Sequence, residues 1–405
     1  MHARALVLLM CAGQIGSLLP HVVVPAVMTA HLIVPWGLTQ AQAGLMAAAY
    51  AGGYLLAVPL LTALTDRFDA RRILGVGSLC NALATVGFGA FAQGLSSALL
   101  LWGLAGAAFA GAYMPGLRAL TDRLDSREAS RAVTLYTATF SLGVGLSFLV
   151  SQWVADHWGW RRAFFVTGLG PLLMVAAAVL LAPVQPPARR GPLLDLRPVL
   201  ANRPTLGYIL GYGAHCFELY GMRTWIVAFW TFVCLRHADT ALPSPMWVSA
   251  AVSLLAMPAS IWGNELAIRH GRHRTIRRIQ VVSAAVALGI AGLAGAGAWP
   301  WLLLLLVMVY AVTVPADSGA LTAGMSATAD PQRRGLTFAL HSMVGFGLSA
   351  LAGWAVGATL DAFGGADRPQ AWTAAYVVLA AGILCGPLAL RWSARDAAAA
   401  RPSKP

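Results

Sequence analysis

The sequence predicts an all-α membrane protein with twelve transmembrane helices in two pseudo-symmetric six-helix bundles, 1–182 and 205–392. Three observations carry this: twelve apolar stretches follow one another along 405 residues, the loops between them are alternately basic and nearly uncharged, and the second half repeats the first. A helix needs about 20 residues to cross a bilayer. In lipid such a segment has to satisfy its own N–H and C=O groups, which a helix does. With 58% hydrophobic and 11% charged residues and a mean hydropathy of +0.69, a soluble domain is excluded.

The stretches fall at 5–28, 41–64, 73–93, 97–120, 131–154 and 163–183, then at 205–234, 245–268, 279–298, 300–326, 335–360 and 371–392, numbered helix 1 to helix 12. Helix 1 follows Arg4 as a signal peptide would, but no small-residue cleavage site follows it, so it is read as the first span. Helices 2 and 3 are separated by Arg67, Arg71 and Arg72, and helices 4 and 5 by Arg123, Arg127 and Arg131. After helix 6 comes the longest polar interruption, 183–204, a cytoplasmic linker with Pro183, Pro186, Pro187, Arg189, Arg190, Arg197 and Arg203. Arg269, Arg272, Arg274, Arg277 and Arg278 separate helices 8 and 9, and Arg333 and Arg334 separate helices 10 and 11. Helix 12 runs into a basic tail, 393–405, with Arg395, Arg401 and Lys404. The alternate loops hold only Arg161, Arg162, Arg236 and Arg368. Lys and Arg accumulate in loops that stay cytoplasmic. Both termini are therefore expected in the cytoplasm, with the chain in a bacterial inner membrane. The net charge of +13 then reads as topology and not as a nucleic-acid partner. Five cysteines scattered singly form no metal or disulfide spacing, so neither a metal nor a cofactor is expected, and a monomer is.

The halves resemble each other at an offset of about 202 residues. Ala119-Leu120-Thr121 matches Ala320-Leu321-Thr322, and Gly143-Val144-Gly145-Leu146-Ser147 matches Gly345-Phe346-Gly347-Leu348-Ser349. Asp156 followed by Gly159 matches Asp361 followed by Gly364. Parallel six-helix repeats are an architecture of transporters.

The loop after helix 2 reads Thr62-Ala63-Leu64-Thr65-Asp66-Arg67-Phe68-Asp69-Ala70-Arg71-Arg72. It resembles the loop signature Gly-x-x-x-Asp-Arg-x-Gly-Arg-Arg of the major facilitator superfamily at Asp66, Arg67 and Arg71, while Thr62, Asp69 and Ala70 depart from it. Arg269, Gly271 and Arg272 form a degraded second copy, in which Ile268 stands where the acid belongs. Gly159-Trp160-Arg161 with Phe164 is similar to that superfamily too. Within it, Tyr113-Met114-Pro115-Gly116-Leu117-Arg118, His215 with Glu218, Gly221-Met222-Arg223 and Asp317-Ser318-Gly319 resemble the cyanate and nitrate–nitrite transporter-like branch. The resemblance implies that Asp66 and Arg67, with Arg71 and Asp122, latch the outward-facing state. It also implies that helices 1, 4, 7 and 10 face a central cavity, to which Tyr113 of helix 4 belongs.

Charged groups far from helix ends are functional candidates by default. His215 and Glu218 share a face of helix 7. Counted from Thr205, Glu218 lies about 20 Å along the helix, near the middle of the bilayer. Arg223 is one turn further and about 140° around, so pairing with Glu218 is not assumed. The repeat sets Gln14 and Ser17 opposite His215 and Glu218, and His21 extends their stripe; Tyr310, Thr313 and Asp317 form another on helix 10. Gln14, Ser17, His21, Tyr113, His215, Arg223, Tyr310 and Thr313 are thus the candidate substrate-binding set, against the alternative of hydrogen bonds that only hold helices together. Glu218 and Asp317 are the candidates for carrying a proton, since desolvation and a nearby cation push a carboxyl in opposite directions. His341 reads as a packing or interfacial residue, and Arg118 and Glu265 as helix-end groups.

A secondary transporter is therefore expected, proton-coupled and moving a small polar or anionic solute; no Gly-x-x-x-x-Gly-Lys-Ser/Thr phosphate loop is present. The alternative is a proton-coupled drug or metabolite exporter. Such exporters resemble Gly-x-x-x-Gly-Pro-x-x-Gly-Gly in helix 5, where residues 143–150 have neither the proline nor the glycine pair. An enzyme is not expected, because no metal helix or nucleophile–base set appears.

Overall fold

A computed structural model describes residues 2–185, 196–330 and 333–399. Arg189 and Arg190 of the linker and Arg401 and Lys404 of the tail lie outside the described residues, as do the side chains of Arg127, Arg131, Arg334 and Arg395.

Eleven helical units among the described residues are long and apolar enough to cross a membrane: Ala3–His31, Gln40–Leu64, Ala70–Phe91, Leu95–Thr121, Leu135–Trp158, Trp160–Leu180, Pro245–His270, Arg272–Ala296, Pro300–Thr328, Gly335–Ala362 and Pro369–Ser393. The remaining long helix, Arg203–Arg236, has 34 residues and is more polar because His215, Glu218 and Arg223 lie in its interior. It takes the seventh place in chain order, so the helices number as the sequence predicts. Exposed side chains such as Leu56, Leu60, Val76, Leu83 and Leu104 cover the outside, which suits lipid as the solvent.

Local chemistry sets the ends. Helix 2 opens on a capping box: Thr39 Oγ1 accepts the Gln42 N–H at 3.2 Å and Gln42 Oε1 accepts the Thr39 N–H at 3.0 Å. Asp69 caps helix 3 by accepting the Arg71 N–H. Helix 9 closes on Gly297 in the left-handed region, at φ 65°.

Three spans that read as continuous in the sequence are broken. Helix 1 divides into Ala3–Leu18 and Val23–His31 around Pro20, and helix 6 into Trp160–Leu169 and Pro171–Leu180. Helix 10 divides into Pro300–Thr313 and Ser318–Thr328 around a 3₁₀ turn, Val314–Asp317, that contains Pro315. Proline removes a donor and clashes with the preceding turn, so an apolar run containing one need not stay a single helix.

Helices 2 and 4 touch backbone to backbone, since a Cβ on Gly53 or Gly106 would meet the carbonyls of Gly103 or Tyr50. Helices 1–6 meet helices 7–12 chiefly along two seams, helix 2 against helix 11 and helix 5 against helix 8, and the second part of helix 1 also touches helix 7. At the first, Gly44 lies against Gly353 and Tyr54 stacks on Phe346 with ring centroids 3.8 Å apart. At the second, Gln152 Nε2 donates to Ser249 Oγ at 3.0 Å.

Candidate functional site

The break in helix 1 builds one wall of the site. Ser147 of helix 5 fills the gap it leaves: its hydroxyl donates to the Leu19 carbonyl at 2.6 Å and accepts the Val22 N–H at 3.3 Å. That holds His21 at the break, its ring 5.2 Å from Tyr50, 5.3 Å from Phe109 and 5.2 Å from Phe140. Across the seam, Arg223 of helix 7 lies with its guanidinium 5.0 Å from the Tyr220 ring centre. His21 and Arg223 line one cavity with Tyr50, Trp102, Tyr220 and Phe346. Arg223 is 5% exposed and its Nη1 has no hydrogen-bond partner. No carboxylate lies within ion-pair distance of it among the described residues. A buried cation in that condition is costly, and an anion placed beside it offsets part of that cost.

A second polar centre lies inside the second half, between helices 7, 9 and 10. Glu218 is fully buried, and its Oε1 accepts Ser283 Oγ–H at 2.9 Å and Tyr310 O–H at 3.0 Å, while Oε2 has no partner. Asp317, also buried, accepts Gln280 Nε2–H at 2.7 Å on Oδ2. Its Oδ1 faces His215 Nδ1 at 2.7 Å, without the angles of a directed hydrogen bond. Thr313 Oγ1 reaches Ser283 Oγ at 3.4 Å. The 3₁₀ turn of helix 10 places Asp317 here: it ends the first half of that helix at the level of His215.

The sequence-predicted residues therefore divide. His21 and Arg223 meet at the seam. His215, Glu218, Tyr310, Thr313 and Asp317 form the internal cluster. Gln14 Oε1 accepts the Tyr136 hydroxyl at 2.7 Å, and Ser17 lies buried beside Asn81, whose Nδ2 donates to the Ser17 carbonyl at 3.4 Å. Tyr113 stacks between Phe109 and Tyr136. His341 is buried and stacks on Tyr212 with centroids 3.8 Å apart. Sequence reasoning missed Tyr50, Trp102, Tyr220, Phe346, Gln280 and Ser283. Gln280 and Ser283 carried a signal, two polar residues three apart on one face of an apolar helix; the aromatic residues carried none.

At the face that holds the ends of helices 2 and 4, Arg118 bridges Asp66 at 3.3 Å and Asp122 at 2.8 Å. Arg123 pairs with Asp69 at 3.0 Å, and Arg71 Nη1 donates to the Leu181 carbonyl at 2.6 Å. Burial alone would raise the Asp69 carboxyl. The N–H groups of Val184 and Arg71 and the Arg123 guanidinium outweigh it and hold that carboxyl below its ordinary value. Among the described residues Arg67 has no ion pair that separates a latch from a solvated loop.

Twelve long helices among the described residues, with a cavity on the seam between the halves, define a polytopic membrane protein built of two helical bundles. The chain belongs to the Major Facilitator Superfamily, whose family model matches residues 6–316. A probable 4-methylmuconolactone transporter of Cupriavidus pinatubonensis is 30% identical over 153 residues, 36% of this chain and 34% of that protein. The gallate transporter of Pseudomonas putida is 30% identical over 178 residues, 42% and 38% of the two. The chain thus spans about a third of the length of the curated relatives it matches. The fold is similar, with a TM-score of 0.77 over 99% of both chains at 16% identity, to the crystal structure of a bacterial homolog of the human lysosomal transporter Spinster, in an inward-facing and occupied conformation. Family and relatives are those of transporters, not of enzymes. They do not single out the cyanate and nitrate–nitrite branch.

Proposed function

We propose that the protein is a secondary transporter of small organic anions, working by alternating access as a monomer in a bacterial inner membrane. One observation carries this: Arg223, buried on the seam, keeps a free Nη1 and has no carboxylate at ion-pair distance among the described residues. A carboxylate entering the cavity would complete the bidentate pair that a guanidinium forms best. The gallate carried by one relative is such an anion, which favours organic acids over cyanate or nitrate as cargo. Glu218 and Asp317 are proposed to couple transport to protons. Their cluster lies apart from the cavity on helix 7, the same helix that carries Arg223, so a change in charge there can bias where the helix rests.

The experiment is uptake of radiolabelled carboxylates into proteoliposomes, with and without an imposed pH gradient. Wild type concentrates an organic acid when the gradient is applied. Arg223→Gln raises the half-saturating concentration ~30-fold, the size of a lost buried charge pair worth about 2 kcal/mol or more. Equal affinity of wild type and Arg223→Gln for every acid tested would remove the basis for an anionic cargo.

A further inference from the structure

Arg223 is not the sole unsatisfied group on its cavity. Nδ1 of His21 and the hydroxyl of Tyr50 are also buried without hydrogen-bond partners among the described residues, and all three side chains line the same space. Buried polar atoms in folded proteins are nearly always paired, so three orphans around one cavity, two from the first half and one from the second, describe the ligand that would pair them. The cavity measures about 30 Å³, room for one or two waters that can meet these groups while the halves are closed, and too small for an organic acid until they part.

Of the remaining lining residues Trp102, Tyr220 and Phe346 are aromatic, and Val22, Pro25, Ala47, Ala51 and Thr224 complete the wall. Tyr50 and Trp102 come from helices 2 and 4, and Tyr220 and Phe346 from helices 7 and 11. Tyr50 packs on Trp102 with centroids 4.9 Å apart, and the His21 ring stands edge-on to Tyr50 at 5.2 Å and to Tyr220 at 6.2 Å. Rings in offset and edge-on arrangements accept a further ring in the same fashion, with a gain beyond apolar burial. An aliphatic chain would fill the space without that gain. Because the rings come from both halves, the width of the slot is set by how closely the halves approach, and parting them along the helix 2–helix 11 seam makes room for a ring.

We infer that the cargo is a planar ring acid: a carboxylate held by Arg223, a ring between the aromatic walls, and a second hydrogen-bonding substituent met by Tyr50 and His21. This rests on the organic-anion reading above and narrows it. His21 offers a donor or an acceptor at Nδ1 according to its tautomer, and the Tyr50 hydroxyl offers both. A hydroxyl, a ring nitrogen or a carbonyl on the ligand would each be matched.

The test is binding to the full-length protein in lipid nanodiscs, read by calorimetry and by quenching of tryptophan fluorescence. The probes are 3- and 4-hydroxybenzoate, benzoate, cyclohexanecarboxylate and 4-hydroxybenzamide. The tighter hydroxybenzoate is expected to bind at least tenfold more strongly than cyclohexanecarboxylate and at least threefold more strongly than benzoate, with the uncharged amide unbound. Tyr50→Phe is expected to bring the hydroxybenzoate-to-benzoate ratio within twofold. If cyclohexanecarboxylate binds as well as benzoate, and Arg223→Gln abolishes both, the ring inference falls while the organic-anion reading stands. If no carboxylate binds, or the amide binds as well as the acids, both fall. The comparison among ligands uses wild-type protein, so a variant that fails to fold does not blunt it.

Discussion

Glu218 is a carboxyl with two hydroxyl donors on one oxygen and none on the other, in the interior of a membrane protein. A protonated acid suits that arrangement, since the bare oxygen can carry the proton while the other accepts from Ser283 and Tyr310. Ionisation would leave a charge with two neutral partners, which is costly away from water. Glu218→Gln preserves the accepting oxygen and the shape but cannot exchange a proton. We expect it to abolish accumulation driven by a pH gradient, tenfold or more, while counterflow exchange of labelled cargo continues. A Glu218→Gln protein that still concentrates cargo with the gradient would pass the proton-carrying role to Asp317. At this scale the sequence was legible where charge contrasts with its surroundings: Arg223, His215, Glu218 and Asp317 stand out of apolar helices. Trp102 and Phe346 do not, because an aromatic side chain in an apolar run looks the same whether it packs in a core, faces lipid or lines a cavity.

Among the elements, the helix 2–helix 11 seam shows how the repeat is used unequally. Asp361 at the end of helix 11 accepts the N–H of Gln40 at 2.9 Å on one oxygen and the N–H of Ala41 at 2.7 Å on the other. A carboxylate from one half thus caps a helix N-terminus of the other, where the unsatisfied N–H groups and the dipole both favour negative charge. The repeat partner of Asp361 is Asp156, and the helix it would cap begins at Pro245, which has no N–H to give. Asp156 instead lies 3.3 Å from His31 in its own half. The cap across the seam is therefore one-sided. Asp361→Asn keeps one acceptor and loses the charge, and is expected to raise the reactivity of a cysteine placed at Gly347 towards a soluble thiol reagent added from that face at least threefold. Unchanged reactivity would mean that glycine packing alone holds the seam. The matched Asp156-x-x-Gly159 and Asp361-x-x-Gly364 pairs were visible in the sequence, but their partners were not, because the partner of Asp361 is backbone, and backbone has no sequence signature. The breaks in helices 1 and 10 escaped notice for a related reason: Pro20 and Pro315 lie in uninterrupted apolar runs, and hydropathy does not register a missing donor.

For the whole molecule, the number and order of the helices were written in hydropathy alone, with helix 7 the informative exception, since the polar residues that lower its hydropathy are those of the site. Orientation is a separate matter, set by charge. The face that holds the ends of helices 2 and 4 carries Arg71, Arg118 and Arg123, and the described part of the 183–204 linker includes the short helix Arg197–Ala201. The opposite loops carry fewer arginines, Arg161, Arg162, Arg236 and Arg368, and the Arg161 guanidinium donates to the Gly89 and Ala92 carbonyls. We expect the basic face to be the one retained in the cytoplasm during insertion. The exposed Cys80 and Cys385 would first be replaced by serine. In that background Ala201→Cys is expected to react with a membrane-impermeant maleimide only in inside-out vesicles, and Ala238→Cys, in the loop after helix 7, only in intact cells. Both positions lie at exposed sites beside the ends of helix 7, so the pair reads the two sides of one helix. Labelling of Ala201→Cys from outside intact cells would reverse the orientation. It would also place the Asp66–Arg118–Asp122 cluster on the outer face, where a latch would hold the inward-facing state and not the outward-facing one.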